Sequence, residues 1–346
     1  MHPLLMSLPT EAFKHGEAAL IEAAGGTPRV VRGWTLDPRL QFMEAQTRML
    51  QAAAPPEAPT AETVRAQTRM LVAMVGGAQE PGVQSQAHTI AIDGREIAAR
   101  LYTAEVPNSN TALMIYLHFG GGVIGDLDTC HAFCSMLCAA GGGPVLSVDY
   151  RLAPEHRFPA GLEDAIAAYS YGLVAAERFG APAGLAAVGG DSMGGNFAAI
   201  IAQHARDHRL PSPVAQLLIY PATDLANEAA SMSDFGEAFP LTRQTMEWFM
   251  SQYANPGDDL KVDVRLSPAA GRLDGLAPAL VYTAGFDPLV DQGDSYAAAL
   301  SAAGVKTHHR RYEHLAHGFT AFTGAIPAAD AACREIARET ASWLKV

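Results

Sequence analysis

From residue 112 onward the chain repeats one pattern: a short apolar run, then a stretch long enough for a helix. The runs are ALMIYLH (112–118), PVLSVDY (144–150), LAAVGG (185–190), AQLLIY (215–220), ALVYTAG (279–285) and THHRRYE (307–313). Strands this apolar are buried on both faces, and parallel strands need crossovers of about helix length to join them. The pattern therefore predicts an α/β fold, doubly wound, with helices on both sides of a parallel sheet. A hairpin across Asp93-Gly94, formed by HTIAIDG and EIAARLY, is expected to precede it.

Two regions fall outside the rhythm. Residues 1–85 read as helices and loops without a strand, with helical patterns near 40–53 and 60–75 separated by AAAPPEAP. The hexapeptide AQTRML occurs at 45–50 and 66–71 but at no third position, so it marks a pair of similar amphipathic helices and no solenoid. The second region is the interval of about 58 residues between Tyr220 and Ala279, too long for one crossover helix. Insertions beyond the C-terminal ends of strands overlie the ligand crevice in open α/β sheets. The expected organisation is an N-terminal helical cap segment over 1–85 and a catalytic domain over 86–346, with a cap insertion at about 225–265.

Charge and cysteine content exclude several classes. Twenty-four Lys and Arg against 36 Asp and Glu give a formal net charge of −12, which repels nucleic acid and most anionic membrane surfaces. Of the four cysteines, Cys130, Cys134 and Cys138 stand at i, i+4, i+8, a helix stripe rather than a disulfide framework or a metal site. No signal-peptide pattern opens the sequence and no run approaches a membrane span, so no membrane partner is expected and the cytoplasm is the default location.

The chemistry-bearing segments lie at the ends of the predicted strands. LAAVGG runs into Gly190-Asp191-Ser192-Met193-Gly194 and then into a helical segment. This is G-x-S-x-G on a strand-to-helix turn, a setting that exposes a serine hydroxyl while glycines let the neighbouring backbone pass. A serine hydroxyl needs a base, and the base an orienting acid, which in this architecture follow in the order acid, then His, on later strand ends. Asp287 follows ALVYTAG, with Asp291 as its rival, already inside the next helix. His317 follows THHRRYE, with His314 as its rival; Gly318 lets the chain turn beneath the His317 imidazole, so His317 is favoured. His308 and His309 fall within the strand. The segment His118-Phe119-Gly120-Gly121-Gly122 can direct backbone N–H groups into the site, and the Met193 amide completes an oxyanion hole.

These motifs, together with Val123-Ile-Gly-Asp126-Leu-Asp128-Thr129 and Asp149-Tyr-Arg-Leu-Ala-Pro-Glu155-His-Arg-Phe-Pro159, resemble the hormone-sensitive-lipase-like family of α/β-hydrolase esterases over about residues 85–346. The resemblance implies a mostly parallel eight-stranded sheet flanked by helices and covered by a helical cap. It also implies a serine carboxylesterase that needs no cofactor or metal, acts on small-molecule esters of short- to medium-chain acids, and frequently forms a homodimer. The family's catalytic residues fall on Ser192, Asp287 and His317, and its oxyanion amides on Gly120, Gly121 and Met193. Three departures bear on substrate preference. Phe119 stands at the first glycine of the family's glycine run, making it a substrate-binding candidate, and Gly122 stands where an aromatic usually follows. Met193 replaces a small residue, and Gln292 an acidic one.

Two other classes share part of this pattern. Gly120-x-Gly122-x-x-Gly125 after a strand, with Asp149 at the end of the next, fits the dinucleotide fingerprint of an NAD-binding oxidoreductase. The helix there is expected to begin after Asp126-Leu-Asp128-Thr129, too late for its N-terminus to hold a pyrophosphate. A receptor on a hydrolase scaffold is the remaining alternative, disfavoured because receptors of this kind typically lose a catalytic residue, and none is missing here. The glycines from 190 to 195 also echo a phosphate loop, but Asn196 stands where its lysine is required.

Overall fold

The computed structural model describes residues 2–53, 59–92, 94–226 and 228–346. Its sheet has eight strands: β1 (Val83–Ile92), β2 (Arg95–Ala104), β3 (Leu113–Leu117), β4 (Val145–Val148), β5 (Ala186–Asp191), β6 (Gln216–Ile219), β7 (Ala279–Phe286) and β8 (Thr307–Ala316). Their spatial order is β1-β2-β4-β3-β5-β6-β7-β8. The first two form the expected hairpin and β2 pairs antiparallel with β4. All later pairings are parallel. The hairpin begins at Val83, earlier than the expected His88, because pairing with β2 runs unbroken from Ile92 opposite Arg95 back to Val83 opposite Ala104, although residues 84–87 are exposed and carry no apolar alternation. Asp93 lies outside the described residues, as do residues 54–58 of the Ala/Pro-rich segment.

Strand period and core division agree. Along β3, Leu113, Ile115 and Leu117 enter one core with Leu162, Phe197 and Leu300 of the helices Ala160–Ala175, Met193–Asp207 and Val290–Ala302. The intervening Met114 and Tyr116 enter the opposite core with Phe133 and Ile336 of the helices His131–Gly141 and Pro327–Leu344. Each such side chain, fully buried, contributes about 1.5–3 kcal/mol of transfer free energy. All four cysteines are free and buried in that second core, Cys134 and Cys138 on one of these helices and Cys333 on the other. Among the described residues no helix is long and apolar enough to cross a membrane.

Residues 1–85 hold the two expected helices, Pro38–Ala53 and Ala61–Val75, the latter started by a capping box between Thr60 and Thr63. The expectation that no strand lies there is corrected by a two-residue ribbon, Val30–Val31 with Trp34–Thr35. Arg32 and Gly33, both at positive φ, make its turn. Tertiary contacts supply what so short a ribbon lacks. Trp34 stacks on Phe235 at 6.0 Å, and the Arg32 guanidinium binds Asp291 through two bonds of 2.6 and 3.0 Å and Asp234 at 2.7 Å. Between β6 and β7 the described residues include two α-helices, Ser231–Asp234 and Arg243–Tyr253, the second capped by Thr242, and a 3-10 turn, Pro268–Ala270. Arg65 ties the helix Ala61–Val75 to the body of the fold. Its guanidinium donates to the carbonyls of Val123 and Ala153 and forms a two-point pair with Glu155.

Candidate active site

Ser192 sits between β5 and the helix Met193–Asp207 with φ 57° and ψ −116°, a conformation that non-glycine residues rarely adopt. The turn is held from both sides. The Ser192 amide donates to Ile219 of β6 at 2.9 Å, and the Ser192 carbonyl accepts from Asn196 and Ala222. Asn196 also donates through Nδ2 to Ala222 and Leu266, tying the helix start to the loops beside it. Gly194 is required by close approach, since a Cβ there would lie 1.9 Å from the Leu117 carbonyl oxygen of β3. The helix therefore enters directly against the sheet.

Asp287 follows β7 and His317 follows β8, and the structure brings both to Ser192. His317 Nε2 lies 2.9 Å from Ser192 Oγ, and His317 Nδ1 lies 2.7 Å from Asp287 Oδ2. A carboxylate only accepts, so Nδ1 carries the proton and the lone pair of Nε2 faces the serine hydroxyl. The other Asp287 oxygen accepts from the Leu289 amide at 2.8 Å, and Asp287 is fully buried. Of the rivals, His314 stays in β8, exposed, its carbonyl accepting from the Asp37 amide. Asp291 is in the following helix, turned toward Arg32 and the Ser231 amide, and those bonds hold its carboxyl below the usual range. His309, in the strand, lies 2.9 Å from Asp294.

The glycine loop after β3 passes beside the same hydroxyl. Gly120, Gly121 and Gly122 all have positive φ, and among the described residues none accepts a hydrogen bond from the amides of Gly120, Gly121 or Met193. The loop is buttressed by His118. Burial pushes its imidazole down to about 4, so it is neutral and Nδ1 donates to the Phe119 carbonyl at 2.8 Å. Tyr150 stacks on that ring at 4.3 Å and donates to the His118 carbonyl, while Arg151 is pinned by Asp164. These contacts are what the Asp149-Tyr-Arg motif does. The helix that follows the loop begins only at His131, after an Asp126 turn that accepts from the amides of Asp128 and Thr129. The glycines therefore meet no helix N-terminus of the dinucleotide kind.

Ser192, His317, Gly120, Gly121 and Met193 open onto one cavity of about 230 Å³. Phe119 lines it, as do Val64, Leu71 and Val72 of the helix Ala61–Val75 and Met246, Phe249 and Met250 of the helix Arg243–Tyr253. Phe249 and Tyr253 rest directly on the glycine loop: a Cβ at Gly121 or Gly122 would lie 2.5 Å from one or the other ring. The aromatic expected at position 122 is thus replaced in space by Tyr253. Behind the site, Tyr220, at φ 33°, packs on the His317 ring at 4.7 Å and donates to Asp191 at 2.8 Å. Thr320 donates to the same buried carboxyl, which burial pushes upward. Tyr220 carried no sequence signal beyond standing at the end of an apolar run.

Sheet order, serine elbow and the chain order Ser, Asp, His together define an α/β hydrolase of the serine type. A family model described as alpha/beta hydrolase fold matches residues 114–321. Carboxylic ester hydrolase LipN of Mycobacterium tuberculosis is 42% identical over 304 residues, covering 86% of this chain and 80% of its own. Ethyl acetate hydrolase of Pseudomonas putida is 38% identical, covering 84% of this chain and 92% of its own. Among solved structures, the ester-hydrolase EH1AB1 from the Lake Arreo metagenome superposes with a TM-score of 0.83 at 37% identity, covering 89% of this chain and 98% of its own. The chain belongs to the α/β-hydrolase family, within its hormone-sensitive-lipase-like carboxylic ester hydrolases. It is an enzyme of that activity.

Proposed function

We propose that the chain hydrolyses short- to medium-chain carboxylic esters through an acyl-enzyme on Ser192. His317 takes the Oγ proton as Oγ attacks the ester carbonyl, Asp287 holds the imidazole and stabilises its cation, and the carbonyl oxygen becomes an oxyanion bound by the amides of Gly120, Gly121 and Met193. His317 then gives its proton to the departing alcohol. Water, deprotonated by the same ring, attacks the acyl-enzyme and releases the acid and Ser192. The carrying observation is the hydrogen-bonded run from Asp287 through His317 to Ser192, opening on an apolar cavity. That cavity is of a size for small acyl chains.

In this reading residues 1–85 and about 225–265 form a cap over the catalytic domain, because their helices supply the cavity wall opposite the serine. Four unpaired, buried thiols suit a reducing, cytoplasmic setting. A homodimer is the family's expectation, which light scattering checks. The activity is tested with p-nitrophenyl esters from acetyl to palmitoyl, using the wild type and Ser192→Ala, with fluorophosphonate labelling followed by intact mass. Turnover should peak at short or medium chains, and both turnover and label should vanish in Ser192→Ala. Turnover that survives the substitution overturns the assignment.

A further inference from the structure

The cavity is apolar except for a few side chains, and most of these have no free donor to offer a ligand. Ser192 and His317 are committed to the chemistry. Thr68 donates back to the Val64 carbonyl of its own helix at 2.8 Å, and Thr245 is bonded to Thr242 at the helix cap. Two groups on one wall differ. Gln292 is buried, and its Oε1 accepts both the Thr223 amide at 2.7 Å and the Asp224 amide at 2.8 Å. Two N–H donors on one atom settle which end of the carboxamide is oxygen. Nε2 is therefore the free end, and no described residue accepts from it. Asp224, tied to Gln292 through its own amide, spends Oδ1 on the Ala226 amide at 3.0 Å, and among the described residues nothing donates to its Oδ2. Both residues line the cavity, next to Ala222, whose amide is bonded to the nucleophile's carbonyl.

We infer that Gln292 and Asp224 form a polar subsite that selects esters bearing a hydroxyl group, which donates to the Asp224 carboxylate and accepts from Gln292 Nε2. This rests on the esterase reading above and names the substrate class of the same pocket. A hydroxyl is the small neutral group that needs a donor and an acceptor side by side. Carried into an apolar pocket without partners, it would lower kcat/KM roughly fivefold or more relative to a methyl group. A carboxylate at position 292 would accept the same two amides but offer no donor. The glutamine thus matters for its free end, while its bound end fixes the loop 221–225.

The test uses isosteric pairs in which methyl is exchanged for hydroxyl. Ethyl 3-methylbutanoate is compared with ethyl 3-hydroxybutanoate for the acyl side, and butyl butanoate with 3-hydroxypropyl butanoate for the alcohol side. Butyrylcholine with 3,3-dimethylbutyl butanoate serves as a cation pair. The wild type should prefer the hydroxyl member of one pair by about fivefold or more. Gln292→Glu and Asp224→Ala should each remove that preference, a change in ratio that a purely structural role would not produce because it moves both members alike. Equal or lower rates on both hydroxyl members, a ratio unchanged in the two variants, or a preference for the cation alone overturns the subsite. Each of those outcomes leaves the esterase reading intact as long as turnover of the plain esters depends on Ser192. Turnover independent of Ser192 sinks the esterase reading itself.

Discussion

Replacing Asp287 with asparagine separates the two bonds that its carboxylate now accepts. One oxygen takes the Leu289 amide at 2.8 Å and the other His317 Nδ1–H at 2.7 Å, in a fully buried position. An asparagine has one acceptor for these two donors. If its oxygen stays on Leu289, its NH2 faces His317 Nδ1, the imidazole proton moves to Nε2, and the atom facing Ser192 is no longer a base. If the amide flips, the productive tautomer survives, but two buried N–H donors face each other at Leu289. An unpaired buried donor costs about 1–3 kcal/mol. Loss of the negative charge opposite the imidazolium removes a charge-assisted bond worth roughly 1.5–3 kcal/mol more.

Together these give about 2.5–6 kcal/mol in the barrier, or roughly 10²–10⁴ in kcat. The upper end matches the loss found for the same substitution in the serine protease triad, about 10⁴. The assay is kcat and KM on p-nitrophenyl butanoate with a melting curve of each variant. Asp291→Asn is the comparison, since Asp291 binds Arg32 and the Ser231 amide and has no bond to His317. It should lower the melting temperature while kcat stays within about threefold. A loss below tenfold in Asp287→Asn, or an equal loss in Asp291→Asn, refutes the role given to Asp287.

Two further predictions concern the scaffold of the site. His118 is held neutral by burial, its imidazole pushed down to about 4 from the ordinary 6.5. The unfolded chain therefore binds more protons between those values, and stability falls as pH drops from about 6.5 toward 4 and is fully retained above that window. Urea titrations across pH 4–7 should show a flatter slope in His118→Asn, which keeps a donor for the Phe119 carbonyl; an unchanged slope shows that His118 does not titrate in folding. Arg65→Leu removes two carbonyl contacts and the Glu155 pair, so limited proteolysis should cut within residues 59–75 at least several-fold faster than in the wild type, and equal rates would show that this arginine does not anchor the helix.

The parts of the molecule that could be read from the chain are those determined within a strand and the loop at its end. Ser192, Asp287 and His317 each stand directly after the last residue of a strand, so a strand assignment carries the site assignment with it. Asp291 was separable from Asp287 for the same reason: four positions further on, a helix has begun. The ribbon at 30–35 was not legible because two residues per strand define no period, and its stability comes from Phe235 and Asp291, about 200 and 260 positions away. Gly122 showed that an aromatic was missing, but not that Tyr253, on a helix 131 positions later, fills its place. The pairing of Gln292 with Asp224 was hidden likewise, since no spacing rule joins a helix residue to a loop 68 positions before it.

This division follows the physics of the site. Bond-making groups must be held to within a few tenths of an ångström, so they sit where sheet strands end and the backbone is most constrained. Groups that choose the substrate need only line a wall, and here they come from the loop after β6, the first turn of the helix Val290–Ala302 and the helices above the glycine loop, elements held by long-range ties such as Arg32 to Asp291 and Arg65 to Glu155. Substitutions in the two sets should then separate kinetically. Changes at Asp287 lower kcat for every ester by a similar factor, because each passes through the same oxyanion. Changes at Gln292 and Asp224 alter the ratio between esters, because only some substrates reach that wall. An Asp287→Asn enzyme that altered the hydroxyl-to-methyl ratio as strongly as Gln292→Glu would show that chemistry and selection are not carried by separate residues.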